Sequence, residues 1–133
     1  MALQVEIVTP ERRVAQLADV DEVRAPGVLG GFGIRTGHAS FISSLDAGRL
    51  VVLRGGREEL YAVSGGFLQV DRDRVLVLAE WAEPREEIDV DWARQELAEA
   101  TERLRRLTEQ DQNYNVEAAR VRRATARLNV AGR

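Results

Sequence analysis

Apolar and polar residues alternate from the third position of the chain, where Leu3, Val5 and Ile7 are separated by Gln4 and Glu6. A period of two marks a half-buried strand. The pattern returns in "DVDEVRA", with Val20 and Val23 as its apolar points, and then in "GRLVVLRGG", "EELYAVSGG", "FLQVDRD" and "RVLVLAEWAE". Each segment is bounded by Gly, Asp or Arg. Short strands between Gly-rich turns predict an all-β sandwich or barrel as far as Glu83. Some ~85 residues bury roughly 60% of their unfolded surface, enough to fold independently.

Pro84 punctuates the chain, and no glycine follows Ile88 until Gly132. Ala93, Leu97, Ala100, Leu104 and Leu107 recur at three- and four-residue spacing, which puts them on one helical stripe. Asp89 is placed as its N-cap, and Asp91 in the first turn suits the helix dipole. "EQDQNYN" is a polar break. A second stripe follows: Tyr114, Ala118, Val121, Thr125 and Leu128. Two amphipathic helices with a short polar connection predict an antiparallel hairpin. The expected division is therefore a β-sandwich over residues 1–84 and a helical hairpin over residues 85–133. Ala and Thr bury little area, so at ~25 cal/mol per Å² the second stripe docks weakly. The hairpin is then either plain packing on the sandwich or a moving part.

Composition narrows the chemistry. The absence of cysteine excludes disulfides and thiolate zinc sites, and a single histidine excludes a His-rich metal cluster. All 19 basic residues are arginine, which excludes a Walker-A lysine, a Schiff-base lysine and a Ser-Lys pair. A net charge of -3 argues against a general nucleic-acid binder. No apolar run approaches the ~20 residues of a membrane span. The alternating N-terminus reads as a strand rather than a signal peptide.

The glycine-rich stretch "GVLGGFGIRTGH", Gly27 to His38, invites a phosphate-binding interpretation. Its spacing, Gly31-x-Gly33-x-x-x-Gly37, departs from the dinucleotide fingerprint, and no helix pattern follows it. Tight turns and a bulge fit better, with Leu29 and Phe32 able to present an apolar contact. "AVSGGF" is not a nucleophile elbow, because Ala62 stands where the elbow needs glycine. Asp71 and Asp73 flank Arg72 in a solvated turn. On the second helix, Arg120, Arg123 and Arg127 share a face opposite Tyr114, Val121 and Leu128. Such a stripe serves either as a solvated face paired with the acidic first helix, or as a docking face for carboxylates or phosphate.

"VTPERRV", "VRAPGVLGGFGIRTGHASFISSLDAGRL", "YAVSGGFLQV", "VLVLAEWAE" and "EIDVDWA" occur in this order along the chain. Together they resemble the epsilon-subunit family of bacterial F-type ATP synthases over nearly the whole chain. The resemblance implies a ten-stranded β-sandwich followed by a helical hairpin. It implies a non-catalytic rotor subunit on the cytoplasmic face of the plasma membrane, peripheral and membrane-associated only through its complex. The implied partners are the gamma subunit, the c-ring and the catalytic beta subunit. By position, Gly30, Gly31 and Phe32 would meet the c-ring, although many relatives carry a carboxylate where this chain has Gly31. His38 would lie near gamma. The hairpin would dock on the sandwich or extend along gamma and block ATP hydrolysis, with Arg120, Arg123 and Arg127 meeting an acidic segment of beta. Some relatives bind ATP as a regulatory ligand through Ile/Leu-Asp-x-x-Arg-Ala. Here Ile88, Asp89 and Ala93 match, as do Glu83, Arg123 and Arg127 elsewhere in that site, but Trp92 replaces the motif arginine. The alternative from another class is a stand-alone ATP-sensing sandwich and hairpin.

Overall fold

The computed structural model describes residues 2–132. Ten strands come first: β1 (Leu3–Val8), β2 (Arg13–Val20), β3 (Glu22–Gly27), β4 (Gly30–Arg35), β5 (Phe41–Ser44), β6 (Gly48–Arg54), β7 (Arg57–Ser64), β8 (Phe67–Asp71), β9 (Arg74–Leu78) and β10 (Trp81–Pro84). They form two five-stranded sheets, ordered β2-β1-β9-β8-β5 and β10-β7-β6-β3-β4. All pairings are antiparallel except β1 with β9, which places the N-terminal strand beside one that ends at Leu78.

Alternation sets the core. Leu3, Val5 and Ile7 of β1 meet Leu50 and Val52 of β6, Val63 of β7 and Leu68 and Val70 of β8 in one buried cluster. Two predicted segments divide. "DVDEVRA" spans the end of β2 and the start of β3, with Asp21 between them and Asp19, near the end of β2, at φ 57°. "RVLVLAEWAE" splits into β9 and β10, which belong to different sheets. The turn from β7 to β8 requires glycine. Gly66 has φ 99°, and a Cβ there would lie 1.9 Å from the Leu78 carbonyl oxygen.

A single 3-10 turn, Arg85–Glu87, leads into α1 (Val90–Arg105), and a polar loop connects α1 to α2 (Tyr114–Ala131). Asp89 caps α1 by accepting a hydrogen bond from the Trp92 amide at 3.0 Å. Ala93 and Ala100 are buried and Leu97, Leu104 and Leu107 half-buried, so the α1 stripe faces inward as its spacing predicts.

The α2 stripe does not. The period is helical, but the buried side is rotated by about half a turn from Tyr114, Val121 and Thr125. Thr125 is exposed, whereas Glu117, Ala124, Ala126 and Val130 are buried. Two seams explain the rotation. Ala126 and Val130 pack on Val51, Leu60 and Ala62, the outward-facing residues of β6 and β7. Ala124 and Glu117 lie on the side turned to α1, where Glu117 bonds Arg103 of that helix. The arginine stripe lies between the seams, with Arg127 largely buried, Arg123 half-buried and Arg120 exposed.

Candidate functional site

The innermost arginine, Arg127, meets both α1 and the edge of the second sheet. Trp81 and Glu83 of β10 stand two residues apart on one face of their strand. Arg127 reaches them from α2, its Nε donating to Glu83 Oε1 at 2.7 Å. The Arg127 side chain is only 12% exposed. Its guanidinium carbon lies 4.6 Å from the Trp81 ring centroid and 4.7 Å from that of Trp92, within cation–π range of both. Trp92 is in the first turn of α1. Three separate elements thus meet around one cation.

The residues expected at a nucleotide site are distributed around this junction. Glu83 and Arg127 are joined directly. Ile88 packs beside Val51, Leu60 and Ala62, Ala93 is fully buried, and the Asp89 carboxylate is engaged as the α1 cap. Arg123 is half-buried, and its Nε is buried without a hydrogen-bond partner among the described residues. Trp92, whose place sequence reasoning marked only as a departure from a motif, closes the cage around Arg127.

A second ionic cluster ties the two helices. Glu117 bonds Arg103 at 2.6 Å and Arg120 at 3.0 Å, and Arg120 also approaches Glu96 at 3.8 Å. The hydrogen bond from Arg103 is the largest cause holding the Glu117 carboxyl below its ordinary range, and Arg103 is raised in turn. Pairing of the arginine face with the acidic first helix, one of the two readings of the sequence, is met by Arg120 and Glu96. The role of Glu117 between Arg103 and Arg120 is legible only once the hairpin is closed.

The glycine-rich stretch builds β4 and the turn before it. Val28 and Leu29 form the two-residue tip of the β3–β4 hairpin, and Gly30 takes φ 124° where the strand resumes. Both tip residues project into solvent, Leu29 completely. Gly30 and Gly31 are exposed beside them. The Phe32 side chain is half-buried, packing on the core and edge-to-face against Phe41 with centroids 5.4 Å apart. His38 follows β4; its Nδ1 lies 2.7 Å from the Ala39 carbonyl oxygen, and its ring meets the edge of Phe41. Asp71 and Asp73 hold this loop rather than simply facing solvent. Asp73 accepts from the Gly37 amide at 2.7 Å and Asp71 from the Ser40 hydroxyl at 3.0 Å. On the outer face of the first sheet, Ile42, Phe67 and Leu78 stay exposed, while the second sheet's outer face is covered by α2.

Among the described residues, no group of three or more His, Cys, Asp or Glu side chains could hold a metal ion. No helix among them is long and apolar enough to cross a membrane. The candidate features are the exposed β3–β4 tip and two ionic clusters, one around Arg127 and one around Glu117.

Two family models cover the chain: the beta-sandwich domain of the ATP synthase delta/epsilon chain over residues 2–85, and the long alpha-helix domain of the same chain over residues 86–132. The ATP synthase epsilon chain of Anaeromyxobacter dehalogenans is 59% identical over 133 residues, covering all of both chains. That of Myxococcus xanthus is 46% identical, covering 97% of this chain and 94% of its own. Among solved structures, a chain of the Euglena gracilis mitochondrial ATP synthase (OSCP/F1/c-ring) matches with a TM-score of 0.70 at 24% identity, covering 98% of this chain and 78% of that one. A chain from the central stalk and c-ring of the Tetrahymena thermophila mitochondrial enzyme matches with a TM-score of 0.63 at 17% identity, covering 99% and 96%. At these identities the solved structures bear on the fold alone.

Proposed function

Because the chain belongs to the ATP synthase epsilon chain family, we propose that its sandwich seats on the rotor while its hairpin regulates ATP hydrolysis. The protein is a non-catalytic subunit of an ATP synthase. As a rotor subunit it would lie at the cytoplasmic face of the membrane that holds the complex. The fully exposed Leu29, with Val28, Gly30 and Gly31, gives the sandwich a protruding end suited to the loops of a c-ring. Phe32 would support that end from beneath through Phe41. His38, next to Phe41 and the exposed Ile42, would face gamma.

One observation carries the regulatory role. Arg120 and Arg127 of α2 are held by Glu117 and Glu83, contacts that another carboxylate surface could replace, and among the described residues the apolar docking of α2 is confined to Ala126 and Val130. Closing and opening therefore exchange similar polar interactions at low net cost. In the open form Arg120, Arg123 and Arg127 would meet acidic residues of the catalytic beta subunit.

The chain has no cysteine, so a reversible lock can be introduced cleanly. Ala62→Cys with Ala126→Cys joins β7 to α2 across one buried cluster. In the assembled synthase, oxidation should raise ATP hydrolysis and reductant should restore inhibition. Hydrolysis that ignores the crosslink would refute the regulatory role of hairpin movement.

A second reading makes ATP a regulatory ligand of the closed hairpin. The buried, unpartnered Nε of Arg123 favours it, since a phosphate oxygen would satisfy that donor. Ile88, Asp89 and Ala93 would then line the site, and Glu83 would release Arg127. Calorimetric titration with ATP decides the matter: saturable heat supports the site, and none up to several millimolar removes it.

A further inference from the structure

We propose that the Trp81–Arg127–Trp92 stack is a built-in latch that keeps the hairpin closed without any nucleotide. This deepens the regulatory reading above and rests on it only for the consequence of opening. Arg127 of α2 joins both the sandwich edge and the start of α1. Its guanidinium lies against two indole faces, and its Nε is bonded to Glu83 at 2.7 Å. The planar, weakly hydrated guanidinium is suited to stacking in a way that an ammonium is not.

The geometry explains one feature left open by packing. Trp92 remains 47% exposed in the first turn of α1, an unfavourable place for a large apolar ring. Its position is accounted for by the cation beneath it. The Asp89 cap fixes the Trp92 backbone, so the ring is presented from a rigid turn. On the other side, Trp81 is held by β10 pairing with β7 through Ser64. Trp81 is therefore fixed by its sheet, whereas α1 packs on α2, so Trp92 and Arg127 arrive together with the hairpin and the stack closes when it docks. An acidic partner that captured Arg127 would have to displace Glu83 and unstack two rings together, so release is all-or-none at this residue.

The test is native-state hydrogen exchange on the full chain, without nucleotide, comparing α2 amides with those of β7. Trp92→Ala should speed α2 exchange by roughly 3- to 30-fold, the range expected for loss of a partly desolvated cation–π contact. The amides of β7 should stay unchanged. Arg127→Lys, which keeps the charge, should also speed α2 exchange. Trp92→Leu distinguishes stacking from simple cover. If leucine restores protection, or if Trp92→Ala leaves α2 exchange unaltered, the latch is overturned. ATP hydrolysis by the assembled complex is a separate readout. A variant that loosens α2 without changing hydrolysis would leave the latch standing and remove the regulatory role instead.

Discussion

Val130 is fully buried against Val51, Leu60 and Ala62, and with Ala126 it supplies the apolar docking of α2 on the sandwich. Val130→Ala removes two methyl-sized groups, a transfer loss of about 1.6 kcal/mol at ~0.8 kcal/mol each. An unfilled space of ~30 Å³ would add about 0.7 kcal/mol. The sum, about 2.3 kcal/mol, is a large share of what so thin an interface can supply. The perturbation should act on docking alone, because the sandwich core of Leu3, Ile7, Leu50 and Val63 is a separate cluster. Amide exchange read residue by residue is the appropriate assay. Amides of α2 should exchange about 15- to 50-fold faster, while those of Val52 and Val63 keep their protection. Equal acceleration in both parts would mean that hairpin and sandwich open as one cooperative unit, and the independent-hairpin account would fail.

Other outcomes follow from the same geometry. The Glu117 carboxyl is held below its ordinary value of 4.5 by Arg103, so its stabilising effect is present above that value and is lost as pH falls through the lowered one. Helix–helix protection should thus decline on acidification below about pH 4.5, and Glu117→Gln should flatten that dependence. Gly66→Ala puts a methyl group against the Leu78 carbonyl at positive φ; a loss of about 3 kcal/mol or more is expected, seen as a lower denaturant midpoint or failure to accumulate. Leu29→Ser should leave the thermal midpoint in place, changing stability by less than about 0.5 kcal/mol, but should weaken ATP-driven proton pumping by the assembled complex. Unchanged pumping would show that the β3–β4 tip is not a seat on the ring.

The strands with clear alternation were legible because one face is core and the other solvent. Three strands lacked that signal. β4 reads Gly-Gly-Phe-Gly, so it has almost no side chains to alternate; β5 has four residues; β2 lies at the sheet edge, where Val14, Ala15 and Leu17 are only partly buried and do not alternate. The α1 stripe was legible for the same reason as the strands. The α2 stripe was not, since arginines and a glutamate occupy its inner face and count as solvent-facing in any hydropathy pattern. Burial of Arg127 depends on Glu83 and on two tryptophans 35 and 46 residues away in sequence, at Trp92 and Trp81. Those partners are assembled only by the fold. The Ile-Asp-x-x-x-Ala segment pointed to the right neighbourhood but could not show that Trp92 reaches Arg127.

The parallel pairing of β1 with β9 has a consequence for biosynthesis. Val8 must wait for Leu78 before the centre of the first sheet exists. At ~5–20 residues per second, ribosomal synthesis separates the two by roughly 4–14 s. During that interval β1 can pair only with β2, and its other edge, bearing Val5 and Ile7, stays open. An open apolar strand edge invites pairing with other chains. The nascent protein is therefore most exposed to aggregation before its ninth strand emerges, and mutations that slow translation between β2 and β9 should lower yield without altering the stability of the finished subunit.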